Sequence, residues 1–95
     1  MSPPEIRLEI AAVTLAEELN FTRAAGRLKI TQPALSKQIA ELENQLGFVL
    51  FERNQKRVEL TDAGQVFIRG CRDAFAILEK SVPSHVRLAM RYSLS

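Results

Sequence analysis

The chain has few of the residues on which catalysis, metal binding and covalent cross-linking depend. It contains one cysteine, Cys71, one histidine, His85, and no tryptophan. A single cysteine excludes a disulfide within the chain and supplies too few ligands for a typical zinc site. The sequence also shows no paired catalytic carboxylates, glycine-rich phosphate loop or metal-ligand spacing. We therefore expect a protein that is not an enzyme and that holds no cofactor or metal.

Long apolar runs are also missing, which limits where the protein resides. No apolar stretch approaches the ~20 residues of a membrane-spanning helix. The N-terminus carries Pro3, Pro4 and Glu5 and does not resemble a secretory signal. We expect a cytoplasmic protein of bacterial type that has no membrane partner. Its 95 residues suffice for one small domain, which would gain stability by dimerising.

The basic residues are unevenly distributed along the chain. The net charge of +2 is too small to indicate nucleic-acid binding by itself. However, residues 22–39 contain four basic residues and no acidic one, and the segment before them is acidic. A second basic cluster follows at a turn-like position. The two groups comprise Arg23, Arg27, Lys29 and Lys37, then Arg53, Lys56 and Arg57.

The apolar spacing predicts three helices in the first half of the chain. Helix one covers about residues 4–19, and Thr22 is a candidate N-cap for helix two. Helix three spans about 32–46, with Thr31 as its cap and Gly47 as a left-handed stop. Helices two and three, joined by a tight turn, form a helix-turn-helix pattern, which places one helix in the major groove of DNA. We expect the N-terminal half of helix three to enter the groove, because the C-terminal half carries two acidic residues, Glu41 and Glu43.

The second half predicts a hairpin and a fourth helix. Residues 48–53 and 57–60 alternate as strands, with Asn54 at the turn and a basic tip. Four apolar residues of the hairpin are expected on one side: Val49, Phe51, Val58 and Leu60. The fourth helix opens at Thr61-Asp62 and ends before Pro83. Its apolar arc is wider than one small body covers, so we expect a second copy of the chain to pack there. The predicted dimer contacts are Phe67, Cys71, Ala74, Phe75, Ile77 and Leu78. Phe67, Ala74, Ile77 and Leu78 are interpreted as either core or dimer contacts, and Cys71 as a buried small apolar residue and not a redox sensor.

Five short motifs occur in order between residues 17 and 67. They are N-F-T-x-A-A, T-Q-P-A-L-S-x-Q-I, E-L-E-x-x-L-G, L-F-E-R and L-T-x-A-G. Together they resemble the DNA-binding domain of LysR-type transcriptional regulators. The resemblance implies a mainly α-helical winged helix-turn-helix, with a three-helix core and a two-stranded hairpin wing, at 1–61. It further implies a linker and dimerisation helix at 62–82, followed by a tail at 83–95 whose structure the sequence does not define.

The same resemblance implies partners. Family members bind double-stranded DNA as dimers at interrupted palindromes in promoters. They normally continue into a larger domain that binds a small-molecule coinducer, so this chain is expected to be either a fragment or a naturally short DNA-binding protein. A coinducer is expected only if such an effector domain exists.

The candidate base-reading residues lie at the start of helix three. Gln32 can pair with adenine through its amide, and Pro33 and Ala34 can touch thymine methyl groups. Ser36 can bond to a phosphate or a base edge. Lys37, opposite the apolar stripe, can reach guanine or a phosphate, and the resemblance also implies a basic DNA-contacting residue there.

The remaining candidates would contact the DNA backbone or the minor groove. Thr22 and Thr31 are interpreted as caps that also touch phosphates, because helix N-termini bind anions. Of Arg23 and Arg27, one is a candidate for a phosphate contact. In the wing, Arg53 is expected at a minor groove, with Lys56 and Arg57 on phosphates.

A second reading of the sequence is a protein-interaction module. Such a chain would heterodimerise through helix four with a full-length regulator and inhibit it. DNA binding would require Lys37 and the wing, whereas pairing through helix four would not.

Overall fold

The computed structural model of the protein describes residues 5–54 and 57–80. The predicted tail at 83–95 and the wing residue Lys56 lie outside these residues. The described chain forms four helices and an antiparallel hairpin, the winged helix-turn-helix expected from the sequence. In chain order the elements are α1 (Ile6–Glu18), α2 (Phe21–Leu28), α3 (Gln32–Leu46), β1 (Phe51–Arg53), β2 (Val58–Leu60) and α4 (Asp62–Lys80).

The core lies where α1, α2 and α3 meet, and the wing and α4 close it. Small residues on α1 and α2, including Ala12 and Ala24, are fully buried and allow the helices to approach closely. Leucine and isoleucine side chains fill the centre, as expected from the stripe on helix three. The largest fully buried residues are Leu8, Leu15, Leu35, Ile39, Leu42, Leu50 and Ile68.

Local hydrogen bonds and left-handed residues set the helix ends. The predicted cap of α2 was wrong: Asn20, not Thr22, accepts from the backbone N–H of Arg23 at 2.8 Å. Both residue types can cap a helix, and α2 begins one residue before Thr22. Leu19 ends α1 in the left-handed region at φ 49° and is 45% exposed. The cap of α3 is confirmed, since the hydroxyl of Thr31 accepts from Ala34 N at 3.2 Å and Gly47 ends the helix at φ 82°.

The wing is shorter than predicted. Only Phe51–Arg53 and Val58–Leu60 pair as strands, with Phe51 opposite Leu60. Phe51 is buried, but Val49 precedes the strand and is exposed, so the prediction that it lies on the inner side was wrong. Thr61 connects the wing to α4, because its hydroxyl donates to the carbonyl of Val49 at 2.6 Å and accepts from Gly64 N at 2.9 Å.

Helix α4 buries only part of its predicted apolar arc. Its buried residues are Gly64, Ile68 and Cys71, whereas Val66 is 72% exposed. The close approach at Gly64 explains this orientation, since a Cβ there would overlap the carbonyl oxygen of Leu50. No helix in the described ranges is long and apolar enough to cross a membrane.

Candidate nucleic-acid interface

The N-terminal half of α3 presents a polar, acid-free surface. Gln32, Pro33 and Lys37 are exposed, and Ala34 and Ser36 are half-buried. Within the described residues, Lys37 lies within ion-pair distance of no carboxylate. The structure therefore brings these five predicted base-reading candidates together on the first two turns of one helix.

Thr22 lies beside this surface and contacts its first residue. The Thr22 hydroxyl donates to the amide oxygen of Gln32 at 3.2 Å, so the start of α2 positions the start of α3. The turn between the two helices contains Lys29, which ends α2 in the left-handed region at φ 58°. Thr31 is exposed, and its hydroxyl caps α3 as predicted, whereas Thr22 is not a cap.

The wing reaches the same surface through Arg53. The Nη1 of Arg53 donates to the hydroxyl of Ser36 at 3.0 Å. Its guanidinium carbon lies 4.3 Å from the centre of the Phe21 ring, a cation–π distance. Arg53 thus stands on the same side of β1 as Phe51, and its guanidinium contacts both α2 and α3.

The outer part of the wing is also basic. Arg57 is exposed and lies 3.4 Å from the carboxylate of Glu59. Asn54 closes the turn, as predicted, by accepting from Arg57 N at 2.8 Å. A surface ion pair of this kind contributes little free energy, so Arg57 can exchange its partner for a phosphate at small cost.

The arginines of α2 are placed differently. Arg27 donates to Glu17 at 2.8 Å and to Glu18 at 3.1 Å, and Arg23 lies 3.4 Å from Glu18. The hydrogen bond to Glu17 is the main cause that raises the pKa of Arg27 above its already high ordinary value. Arg72 of α4 approaches Glu17 at 4.0 Å. The positive charge of α2 is therefore largely balanced by α1, although Arg23 remains 68% exposed.

Phe21 and Glu43, to which no DNA-binding or structural role was predicted from the sequence, connect the wing to the helices of this surface. Phe21 carries Arg53 on its ring, and Glu43 accepts from the backbone N–H of Leu50 at 2.7 Å and of Phe51 at 3.2 Å. Glu43 had been expected only to repel phosphates; it instead anchors the wing to the end of α3. Hydrogen bonds to a charged group contribute about 1.5–3 kcal/mol each to folding. The separation in sequence, seven or more positions, hides both contacts from local pattern reading.

The residues predicted for dimerisation divide between two environments. Ala74, Ile77 and Leu78 are exposed on α4, the last two by 65% and 51%. Phe75 is half-buried, and Phe67 packs partly into the core and meets the ring of Phe48 edge-on at 6.5 Å.

Cys71 belongs to the interior. It is only 7% exposed, which leaves little surface for a second chain. Burial, with a smaller contribution from Glu9, raises the pKa of its thiol to about 11. The thiol is therefore protonated at neutral pH and chemically unreactive. Among the described residues, no three metal-ligating side chains gather at one place.

The comparison with protein families identifies the chain. A family model described as "Bacterial regulatory helix-turn-helix protein, lysR family" matches residues 7–65. The chain belongs to the LysR family. The LysR-family regulator AlsR of Bacillus subtilis is 43% identical over 77 residues, which cover 81% of this chain and 26% of AlsR. The Hca operon transcriptional activator HcaR of Escherichia coli is 47% identical over 75 residues, which cover 79% of this chain and 24% of HcaR. The chain thus spans about a quarter of the length of these relatives, which are named as transcriptional regulators and not as enzymes.

Solved structures of LysR-family domains have the same fold. The crystal structure of the CbnR DNA-binding domain in complex with DNA has a TM-score of 0.75 and 36% identity. It covers 81% of this chain and 88% of that one. The BenM DNA-binding domain in complex with benA site 1 DNA has a TM-score of 0.77 and 34% identity, with 94% and 96% covered.

Proposed function

We propose that this LysR-family chain is a sequence-specific DNA-binding module of a transcriptional regulator. The N-terminal half of α3 would enter the major groove, and the wing would lie on the minor groove and backbone. The observation that carries the proposal is the exposed, acid-free surface on which Lys37 has no ion-pair partner among the described residues. Groove binding needs such a positive surface, because phosphates dominate affinity and base edges specify sequence.

The residue roles follow from the chemistry of the side chains. Gln32 would read adenine, Pro33 and Ala34 would contact thymine methyl groups, and Lys37 would reach guanine or a phosphate. Ser36 would bond to a phosphate or a base edge. Backbone and minor-groove contacts would come from Thr22, Thr31, Arg23, Arg53, Lys56 and Arg57. The similar CbnR and BenM domains were solved in complex with DNA, which supports DNA binding by this chain.

The proposal includes a homodimer formed through α4. Exposed apolar residues on α4, including Val66 and Leu78, support it, because a second copy of the chain would remove their apolar surface from water. A two-fold dimer reads two half-sites, and the site would then be an interrupted palindrome. In domain terms, 1–61 would read DNA and 62–82 would join the two copies.

Selection of random duplex DNA with the purified chain at moderate salt tests this function. An enriched interrupted palindrome is expected, and sedimentation should show two chains on each site. Enrichment of a single half-site would retain DNA reading and contradict stable dimers. No enrichment by protein that circular dichroism shows to be folded would contradict the function and favour an inhibitor that pairs with a full-length regulator.

A further inference from the structure

The ring of Phe21 has a polar neighbour that its burial alone does not explain. Phe21 is the first residue of α2 and is 9% exposed, and one face of its ring holds the guanidinium of Arg53 at 4.3 Å. Arg53 comes from β1, 32 positions later in the chain. Packing in the hydrophobic core does not by itself require a cation over the face of an aromatic ring.

We propose that Phe21 is a positioning residue of the DNA-binding surface, which orders Arg53 beside Ser36 before DNA arrives. This inference rests on the function proposed above. A planar guanidinium can stack on a ring and still donate from its edge, whereas an ammonium cannot stack in this way. Arg53 has five N–H donors, and its hydrogen bond to Ser36 uses one of its nitrogens. The remaining donors stay available for phosphate or minor-groove oxygens.

The contact with Arg53 also occupies one hydrogen-bond acceptor site of the Ser36 hydroxyl. A hydroxyl has one hydrogen and two acceptor lone pairs. Because Arg53 donates to the Ser36 oxygen at 3.0 Å, the hydroxyl hydrogen of Ser36 is directed elsewhere. Ser36 therefore keeps its hydroxyl hydrogen available to donate to a phosphate oxygen or to an acceptor atom on a base edge, while one of its two acceptor sites is occupied by Arg53.

Preordering lowers the entropic cost of binding. An arginine side chain that must be immobilised on binding loses rotamer freedom, and this loss opposes association. On the Phe21 ring, Arg53 is already restricted in the free protein. The wing and α3 then approach the duplex as one surface, which Glu43 also supports at the base of the wing.

A double-mutant cycle on DNA affinity tests the inference, with the chain titrated against a fluorescent duplex recovered by the selection. Phe21→Leu is expected to weaken binding about two- to fivefold, the range of an exposed cation–π contact. Phe21→Tyr, which keeps the ring, should restore it. In an Arg53→Ala background, Phe21→Leu should have no further effect. Phe48→Leu is the matched control, because it removes a ring that packs on Phe67 and not on a cation.

A second measurement does not depend on DNA. In the free protein, the Nε–H resonance of Arg53 should carry a ring-current shift that Phe21→Leu abolishes and that Phe21→Tyr and Phe48→Leu retain. Arg53→Lys, at an exposed position, provides a variant that does not disturb the core. It should weaken binding two- to fivefold while the salt dependence stays the same, because the charge is kept and the stack is lost.

The outcomes separate this inference from the proposed function. If the wild-type chain binds the duplex but Phe21→Leu lowers DNA affinity by the same factor in the wild-type and Arg53→Ala backgrounds, Phe21 is only a core residue. An Arg53 Nε–H chemical shift that does not change with Phe21→Leu would also overturn the inference. So would a DNA affinity of Arg53→Lys equal to that of the wild type. Failure of the wild-type chain to bind any duplex would contradict the proposed function itself.

Discussion

The basic residues of α2 and those of α3 and the wing look alike in sequence but differ in their partners. Arg27 and Arg23 lie against Glu17 and Glu18 of α1, at 2.8 to 3.4 Å. Lys37 meets no carboxylate in the described part of the chain, and the partners of Arg53 are a neutral hydroxyl and a neutral ring.

The difference shows that an acid-free stretch of sequence is not an acid-free surface. Residues 22–39 contain no acidic residue. Folding nevertheless brings the carboxylates of Glu17 and Glu18, on α1, against the arginines of α2. The positive field that DNA would meet comes mainly from Lys37 and Arg53, which have no carboxylate partner in the described part of the chain, whereas Arg57 of the wing pairs with Glu59 at 3.4 Å. Four perturbations of these two regions test whether the contrast governs DNA binding.

The largest effect is expected from Lys37→Ala. Loss of one base or phosphate contact in the major groove should cost roughly 1–3 kcal/mol of specific binding per protomer. Anisotropy titration on a selected duplex measures this cost. Lys80→Ala, at the exposed end of α4, removes the same charge and should leave affinity nearly unchanged. Equal affinity of Lys37→Ala and the wild type would remove Lys37 from the interface.

Removing the wing charges should change salt dependence more than sequence preference. A chain with alanine at positions 53, 56 and 57 would lose up to three backbone contacts, each contributing about 0.9 to the log–log salt slope. The slope should therefore fall by about 2 to 3 per protomer. A control with alanine at 7, 69 and 80 removes the same charge from α1 and α4. An unchanged slope in the wing variant would count against the wing as a phosphate contact.

Releasing the arginines of α2 should make the first region behave like the second. With Glu17→Gln and Glu18→Gln combined, Arg23 and Arg27 lose their carboxylate partners and can attract phosphates. Non-specific affinity should rise, and the salt slope should increase by about 1 to 2. Glu5→Gln with Asp73→Asn changes net charge equally and should do less. If both doubles act alike, overall charge and not the local pairing sets DNA affinity.

The smallest effect is expected when Glu17 and Arg27 are replaced together, which removes three exposed ion pairs without a change in net charge. Glu17→Gln combined with Arg27→Gln should leave DNA affinity within about twofold of the wild type, because the net charge that attracts phosphates is unchanged. The free energy of unfolding should fall by about 0.2–1 kcal/mol for each exposed ion pair that is lost. Urea unfolding and anisotropy measure the two quantities. A tenfold loss of affinity would mean that Arg27 itself reaches DNA.

Local chemistry explains why some of the structure was predictable. Helix three was predicted over its observed bounds because Thr31 and Gly47 mark its two ends unambiguously. The start of α2 was ambiguous, since Asn20 and Thr22 can both cap a helix. The wing strands were predicted too long because alternation alone does not reveal that Val49 precedes the paired segment.

Contacts between distant segments explain the rest. Which face of α4 turns inward depends on the close approach of Gly64 to the carbonyl of Leu50. The spacing of apolar residues along α4 does not predict this contact. The pairing of Arg27 with Glu17 spans ten positions, and that of Arg53 with Phe21 spans 32. The base-reading candidates at 32–37 could be assigned from one helix, whereas the residues that hold them in place could not.

The most direct test of the interface is a map of amide NMR shifts as a selected duplex is added to the labelled chain. We expect the largest changes at the non-proline residues of 32–37 and at Arg53, with smaller ones over the C-terminal half of α2 near Arg27. If the largest changes fell instead on the Arg27 side of α2 or on the exposed face of α4, with residues 32–37 unaffected, the DNA-binding surface would not be the one described.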